Sequence, residues 1–475
     1  MRTRQHPVVG AFLCLALAPA FPLSAQDPAK PSGTLSVTTG SAEARSAFWA
    51  GLDDIENIFV PRGARQLQRA LSLDPNLGIA RVAYGLFAPG LAGEQRDQEI
   101  NRGVTDAANA STGELLLALA WRARTPERLP ERRLLLGTAA ELLPADRRLA
   151  YYVANSEPDP RERVRKLEEI TRRFSDYAPA YNQVAYARVA LGDLPGGLAA
   201  AEQQLKVAPN HPNPHDSYAE MLQWAGRLDD ATQHYQHAMG LDGDYIAAHT
   251  GLAEVAMLKG DGATARTHYG HAIQKETVPQ TRLAYRQAIA VTYVNEGNLK
   301  AALAELTAVA EEAERNNFPA VAATAHRNLA VVEAALGDKN TPHAHLAKAA
   351  ELGGDTPAQQ AFAAVTHALL GHLEPARAAA AKFAEGAAAP NASPALVRNV
   401  HSVKGIVAAA EGNATTALEE SRLAEQAGAL ANALAAELLK KGGKRADAQA
   451  LRNEVMGYYQ IDLFTVVAKQ RASKI

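Results

Sequence analysis

The side chains whose spacing points most directly to chemistry are histidines. His234 and His237 lie three residues apart, and His268 and His271 repeat them 34 residues later. Residues three apart share a face of a helix, and two neutral imidazoles so placed can ligate Zn²⁺, Ni²⁺ or Cu²⁺. No cysteine or adjacent carboxylate completes a shell around them, and copying one surface pair from repeat to repeat leaves the same trace. No metal or other cofactor is therefore expected. His249, His326 and His401 fall where a first helix carries a large packing residue, while His211 and His215 flank a turn. Asp242-Gly243-Asp244 lacks the spaced oxygens and closing glutamate of a calcium loop. The sequence has no His-Glu-x-x-His, Gly-x-Ser-x-Gly, phosphate loop or dinucleotide glycine fingerprint, so catalysis is not expected.

The elements that must position such residues are helices. A chain of 475 residues exceeds one ordinary core. Its 47% apolar but only 6% aromatic content suits alanine-rich helices packed at short range. Basic and acidic residues nearly cancel (49 against 51), and no basic run exists of the kind a nucleic-acid binder shows. The densest stretch, from Arg161 to Lys166, is broken by Glu162. Arg2 and Arg4 precede an apolar stretch from Val8 to Leu23 that ends in Ser24-Ala25, the layout of a signal peptide cleaved after Ala25. Pro19 and Pro22 interrupt that stretch, so no membrane span is expected after cleavage. A periplasmic or secreted bacterial protein follows as the expectation. The only cysteine, Cys14, lies inside the stretch, leaving a mature chain with neither disulfide nor thiolate.

One pattern orders the rest. Glycine recurs at 192, 226, 260, 297, 337, 371, 412 and 443, at spacings of 34, 34, 37, 40, 34, 41 and 31 residues. Seven residues before each stands Ala185, Ala219, Ala253, Ala290, Ala330, Ala364, Gly405 or Ala436. Five residues after each stands Gly197, Ala231, Ala265, Ala302, Pro342, Ala376, Ala417 or Ala448. Two helices cross closely only where neither carries bulk, so these columns predict one helix–helix contact built eight times. The expected organisation is a signal peptide over 1–25, a flexible leader over 26–42 and divergent helical repeats over 43–177. In that last region, second helices are expected near 62–73, 97–109, 131–143 and 160–174. A regular array follows over 178–458, and residues 459–475 form a capping helix or tail, since a terminal repeat must cover its exposed face.

These residues resemble the tetratricopeptide repeat. Tyr181, Val184-Ala185, Gly192-Asp193 and Pro209 follow its pattern, as do Tyr218-Ala219, Gly226, Ala231, Tyr235 and Ala238. The match is good over 178–458 and loose over 43–177. Residues 212–220 also resemble a segment that recurs in exported bacterial proteins of this class. The resemblance implies an all-α, right-handed solenoid of about twelve antiparallel helix pairs, with first helices lining a concave groove. It places Asn182, Gln183, Tyr186, Asn213, Asp216, Ser217, Glu220, Gln223, Trp224, Thr250 and Glu254 on that inner surface. Ala361, Phe362, Val365, Leu369, Val403 and Ile406 hold matching positions further along. Such a lining, acidic at one end and apolar at the other, implies a non-catalytic scaffold binding a peptide or exported protein partner. It would repel the C-terminal carboxylate that chaperone-binding members clamp. The alternative is an envelope-assembly or enzyme-accessory factor using the histidine face with a metal.

Overall fold

Small residues at fixed spacing and a proline in many first turns leave the backbone one regular option, and the computed structural model takes it. It describes residues 33–475 except 92, 389–391 and 460, so the expected signal peptide, Cys14 and the first part of the leader, 26–32, lie outside the described residues. The divergent region forms α1 (Ala42–Glu56), α2 (Val60–Leu73), α3 (Gly78–Phe87), α4 (Gly93–Ala107), α5 (Thr112–Arg122), α6 (Leu129–Leu142), α7 (Arg147–Asn155) and α8 (Pro160–Arg173). The regular region begins with α9 (Ala178–Ala190), α10 (Leu194–Val207), α11 (Pro212–Trp224), α12 (Leu228–Leu241), α13 (Ile246–Leu258), α14 (Gly262–Lys275), α15 (Pro279–Asn295) and α16 (Leu299–Arg315). It continues with α17 (Pro319–Leu336), α18 (Thr341–Gly353), α19 (Pro357–Leu370), α20 (Leu373–Glu385), α21 (Pro394–Ala410), α22 (Ala414–Ala424), α23 (Ala429–Lys441), α24 (Arg445–Met456) and the final α25 (Leu463–Ala472). Twelve pairs and one closing helix result, with no strand among the described residues.

The glycine ladder explains the turns. All eight glycines have φ between +75° and +85°, the left-handed conformation that ends a helix without a Cβ penalty. Both small columns are buried, most of their members completely. The odd-numbered helices also touch one another, α11 on α13, α17 on α19, α19 on α21 and α21 on α23, which makes them the inner layer.

The winding is tight enough that distant repeats meet. Phe59, at the start of α2, packs on Tyr245 (ring centroids 4.9 Å) and His211 (5.2 Å), and Arg62 reaches Asp242 at 3.3 Å. The Arg398 guanidinium of α21 donates to the Ala190 carbonyl at the end of α9 (3.1 Å). The Tyr459 ring lies against Gly226, and α25 packs on both α23 and α15.

Two expectations need correction. Residues 33–40, read as part of a flexible leader, run extended along the first helices with Leu35 and Val37 buried. Their anchors are Asp146, which accepts from the Leu35 N–H (2.8 Å), and Glu114, which accepts from the Thr38 N–H (3.0 Å). Each of these carboxylates also caps a helix, α7 and α5 respectively, so the strap satisfies acceptors already fixed by helix termini. The apolar end of the groove is filled from within the chain. Phe464 of α25 packs at a tilt against Phe362 (ring centroids 5.0 Å), and Val365, Val403 and Ile406 share one buried cluster with Leu463 and Val466.

Candidate functional site

The inner faces of α9, α11 and α13 carry the groove residues expected from sequence, but in two different roles. Asn182, Asn213, Ser217 and Gln223 are buried to 4% exposure or less and bond to one another's helices. The Asn182 amide donates to Ser217 Oγ (2.7 Å) and Gln204 Oε1 (3.3 Å), and Ser217 Oγ donates to Asn213 Oδ1 (3.3 Å). Gln223 donates to Glu254 Oε2 (2.9 Å) and accepts from the Tyr235 hydroxyl (3.3 Å). Thr250 donates to its own helix at Ala247 O (2.9 Å). Asn182, Asn213, Ser217 and Gln223 hold repeat to repeat, as buried polar groups must when water is absent, and they have no surface left for a ligand.

Tyr186, Asp216, Glu220, Trp224 and Glu254 remain partly open. The Tyr186 hydroxyl donates to Glu220 Oε2 (2.5 Å), and its ring meets Trp224 edge-on at 6.2 Å. Tyr245 donates to Asp216 Oδ2 (3.4 Å). Burial pushes the Asp216 carboxyl well above its usual range, and the nearby Glu220 and Glu254 push it further. Glu220 is raised by burial. Glu254 is raised by burial to about 7, with Glu220 adding to the shift. No cation within ion-pair distance faces any of the three among the described residues. Desolvation without a counter-ion is the expensive condition for a carboxylate.

Tyr186 and Trp224 open onto a cleft of about 360 Å³ that the tight winding creates. Its other wall is Ala395, Arg398 and Asn399 of α21, with Ala424, Glu425 and Ala427 beyond. Sequence reasoning missed this opposite wall, because contacts between successive turns of a solenoid leave no trace in the repeat period.

A second cleft, of about 350 Å³, lies among the divergent repeats and was also missed. Trp121, Tyr151, Tyr152, Arg132 and Gln183 line it beside Glu56. Glu56 accepts from the hydroxyls of Tyr152 (2.8 Å) and Tyr177 (2.9 Å) and pairs with Arg148 (3.2 Å). Burial raises the Glu56 carboxyl, with Arg148 opposing. The blurred period hid this aromatic lining.

Most of the facing histidines obey one rule. A first-helix residue meets the residue 19 positions later on its second helix. His215 faces His234 (Nδ1 to Nδ1, 3.2 Å), His249 faces His268 (3.4 Å), and His326 faces His345 (2.9 Å). Arg286 with Glu305 (2.6 Å) and His401 with Glu420 (2.6 Å) fill the same place. His237 and His271 add a third ring to their own repeats, at centroid distances of 4.1 Å from His215 and 5.4 Å from His249. His234, His237, His268 and His271 thus serve two separate repeats. Among the described residues their donor atoms do not converge as a metal shell requires.

No family model and no curated relative matches the sequence. Solved structures similar in fold include a thermophilic TPR protein from Thermus thermophilus, 20% identical, covering 36% of this chain and 96% of that one, with a TM-score of 0.33. A tetratricopeptide repeat protein from Parabacteroides merdae is 13% identical over 53% of this chain and 97% of its own (TM-score 0.40). The yeast Tom70 is 12% identical over 77% and 89% (TM-score 0.46). Paired helices, the left-handed glycine closing eight of the twelve first helices and the two buried small columns make this chain a tetratricopeptide-type α-solenoid.

Proposed function

We propose that this chain is a non-catalytic interaction scaffold that binds a peptide or protein partner in the cleft beside Tyr186 and Trp224. The observation that carries the reading is the trio Asp216, Glu220 and Glu254, three crowded carboxyls without a cation next to an edge-on aromatic pair. A lysine or arginine of the ligand supplies the missing charge, and the aromatic pair receives an apolar side chain or the cation itself. The walls are preformed by buried inter-repeat hydrogen bonds, so binding costs the scaffold little ordering. We further propose that the partner is met outside the cytoplasm, after the segment ending at Ala25 is removed. N-terminal sequencing of the protein from its native source tests that point, with Gln26 as the expected first residue.

Selection of a random peptide library against the parent and an Asp216→Asn/Glu220→Gln variant tests the site. The parent is expected to enrich peptides that combine a basic with an aromatic or aliphatic residue, and the variant to bind them about tenfold or more weakly. Identical pools of equal affinity from both baits would remove Asp216 and Glu220 from the binding site.

A further inference from the structure

We propose that His343, His367 and His372 form a binding site for a transition-metal dication of the zinc type, where the α17–α18 and α19–α20 pairs join. Among the described residues these are the group of three whose ligand atoms converge, all within 4.8 Å of one another. The His343 and His372 rings stack nearly parallel (8°) at 5.0 Å, and His367 lies 5.3 Å from His343. His367 Nδ1 is buried without a hydrogen-bond partner, an uncompensated state that a metal bond would relieve. The other facing histidines differ, since His215, His249 and His326 each engage a ring nitrogen with the histidine opposite.

The backbone shows why His372 is there. Gly371 turns left-handed (φ +76°), and the His372 N–H donates to the His367 carbonyl (2.9 Å), which sets the two side by side. At the equivalent place after four other ladder glycines stand Asp193, Asp261, Asn298 and Asn413. Each of these caps the second helix through its side chain. His372 makes no such bond. Here the capping side chain is replaced by an imidazole beside two others.

The donor set selects the ion. Three neutral imidazoles suit Zn²⁺, Cu²⁺ or Ni²⁺, whereas Ca²⁺ and Mg²⁺ want oxygen ligands. Nitrogens each about 2.0–2.1 Å from one tetrahedral ion lie about 3.3 Å apart, so loading needs only rotation of three half-buried rings. A fourth position stays open to water.

The test uses the full chain without a polyhistidine tag, stripped by chelator and titrated with ZnCl₂ by calorimetry at neutral pH. One tight equivalent is expected, weakened roughly 100-fold or more by His367→Ala. His372→Asn restores the capping residue found at Asn298 and Asn413. It is expected to keep the metal-free melting temperature at or above that of the parent while losing the tight site. His234→Ala/His268→Ala is expected to leave that site intact. The proposal is overturned if the parent takes up no zinc, if His372→Asn binds as the parent does, or if the His234/His268 variant abolishes binding.

Discussion

At the scale of single residues, Glu254 and His249 respond to pH in opposite senses. Glu254 has a folded pKa of about 7, above its unfolded value, because burial disfavours its charge. Its contribution to stability is therefore present below about 4.5 and lost as pH rises through about 7. Glu254→Gln removes that loss while keeping an acceptor for Gln223. Thermal melts of variant and parent should coincide near pH 5, and the variant should be more stable near pH 8, by on the order of 1–3 kcal/mol. His249 runs the other way. Burial, then His268 and His271, hold its folded pKa down at about 4, so stability is present above about 6.5 and lost as pH falls toward about 4. Urea midpoints of His249→Gln should fall less than those of the parent between pH 7 and pH 5. The resemblance to the tetratricopeptide repeat put these acids and aromatics on an inner face. What sequence did not separate was strut from open surface: Asn213 and Asp216 lie three apart on one helix, and only the three-dimensional neighbours give one to packing and the other to the groove.

At the scale of helices, legibility was high because the packing rule is local. Close crossing demands small residues on both partners, and the left-handed turn demands glycine, so both signals survive in any single repeat. Even the blurred third yields α2, α4, α6 and α8 near the expected second helices, since Pro75 and Pro144 mark where chains leave helices. A consequence is testable at Gly260, where φ is +81° and an added Cβ meets nothing within 4 Å. Gly260→Ala should cost about 1–2 kcal/mol from the backbone alone. Gly251→Ala should cost more despite helical geometry, because its Cβ would strike the Tyr235 ring 2.3 Å away. Denaturant melts of both variants check the order.

At the scale of the whole molecule, the decisive property is the rotation accumulated per repeat, which no local signal encodes. It brings α2 onto α12 and α13, α21 onto α9, and α25 onto α15, turning an expected open groove into enclosed clefts. The apolar inner residues around Phe362 and Val365, read from sequence as ligand surface, are covered by α25 instead. A chain ending at Gly457 should therefore bind an apolar dye, melt lower and be cut by protease first in α23 and α24; unchanged dye binding and melting would contradict this closure.

We propose that charge at Asp216 and Glu220 and the ring of Trp224 capture a ligand with a basic side chain. The most direct test of this capture is the affinity of one labelled, library-selected peptide, followed by anisotropy against the parent, Asp216→Lys and Trp224→Ala, at low and high salt. Each variant should bind about tenfold more weakly, with parent affinity falling as salt rises and, through Glu254, rising from pH 6 to pH 8. Equal affinities across the three proteins, with no dependence on salt, would contradict this proposal.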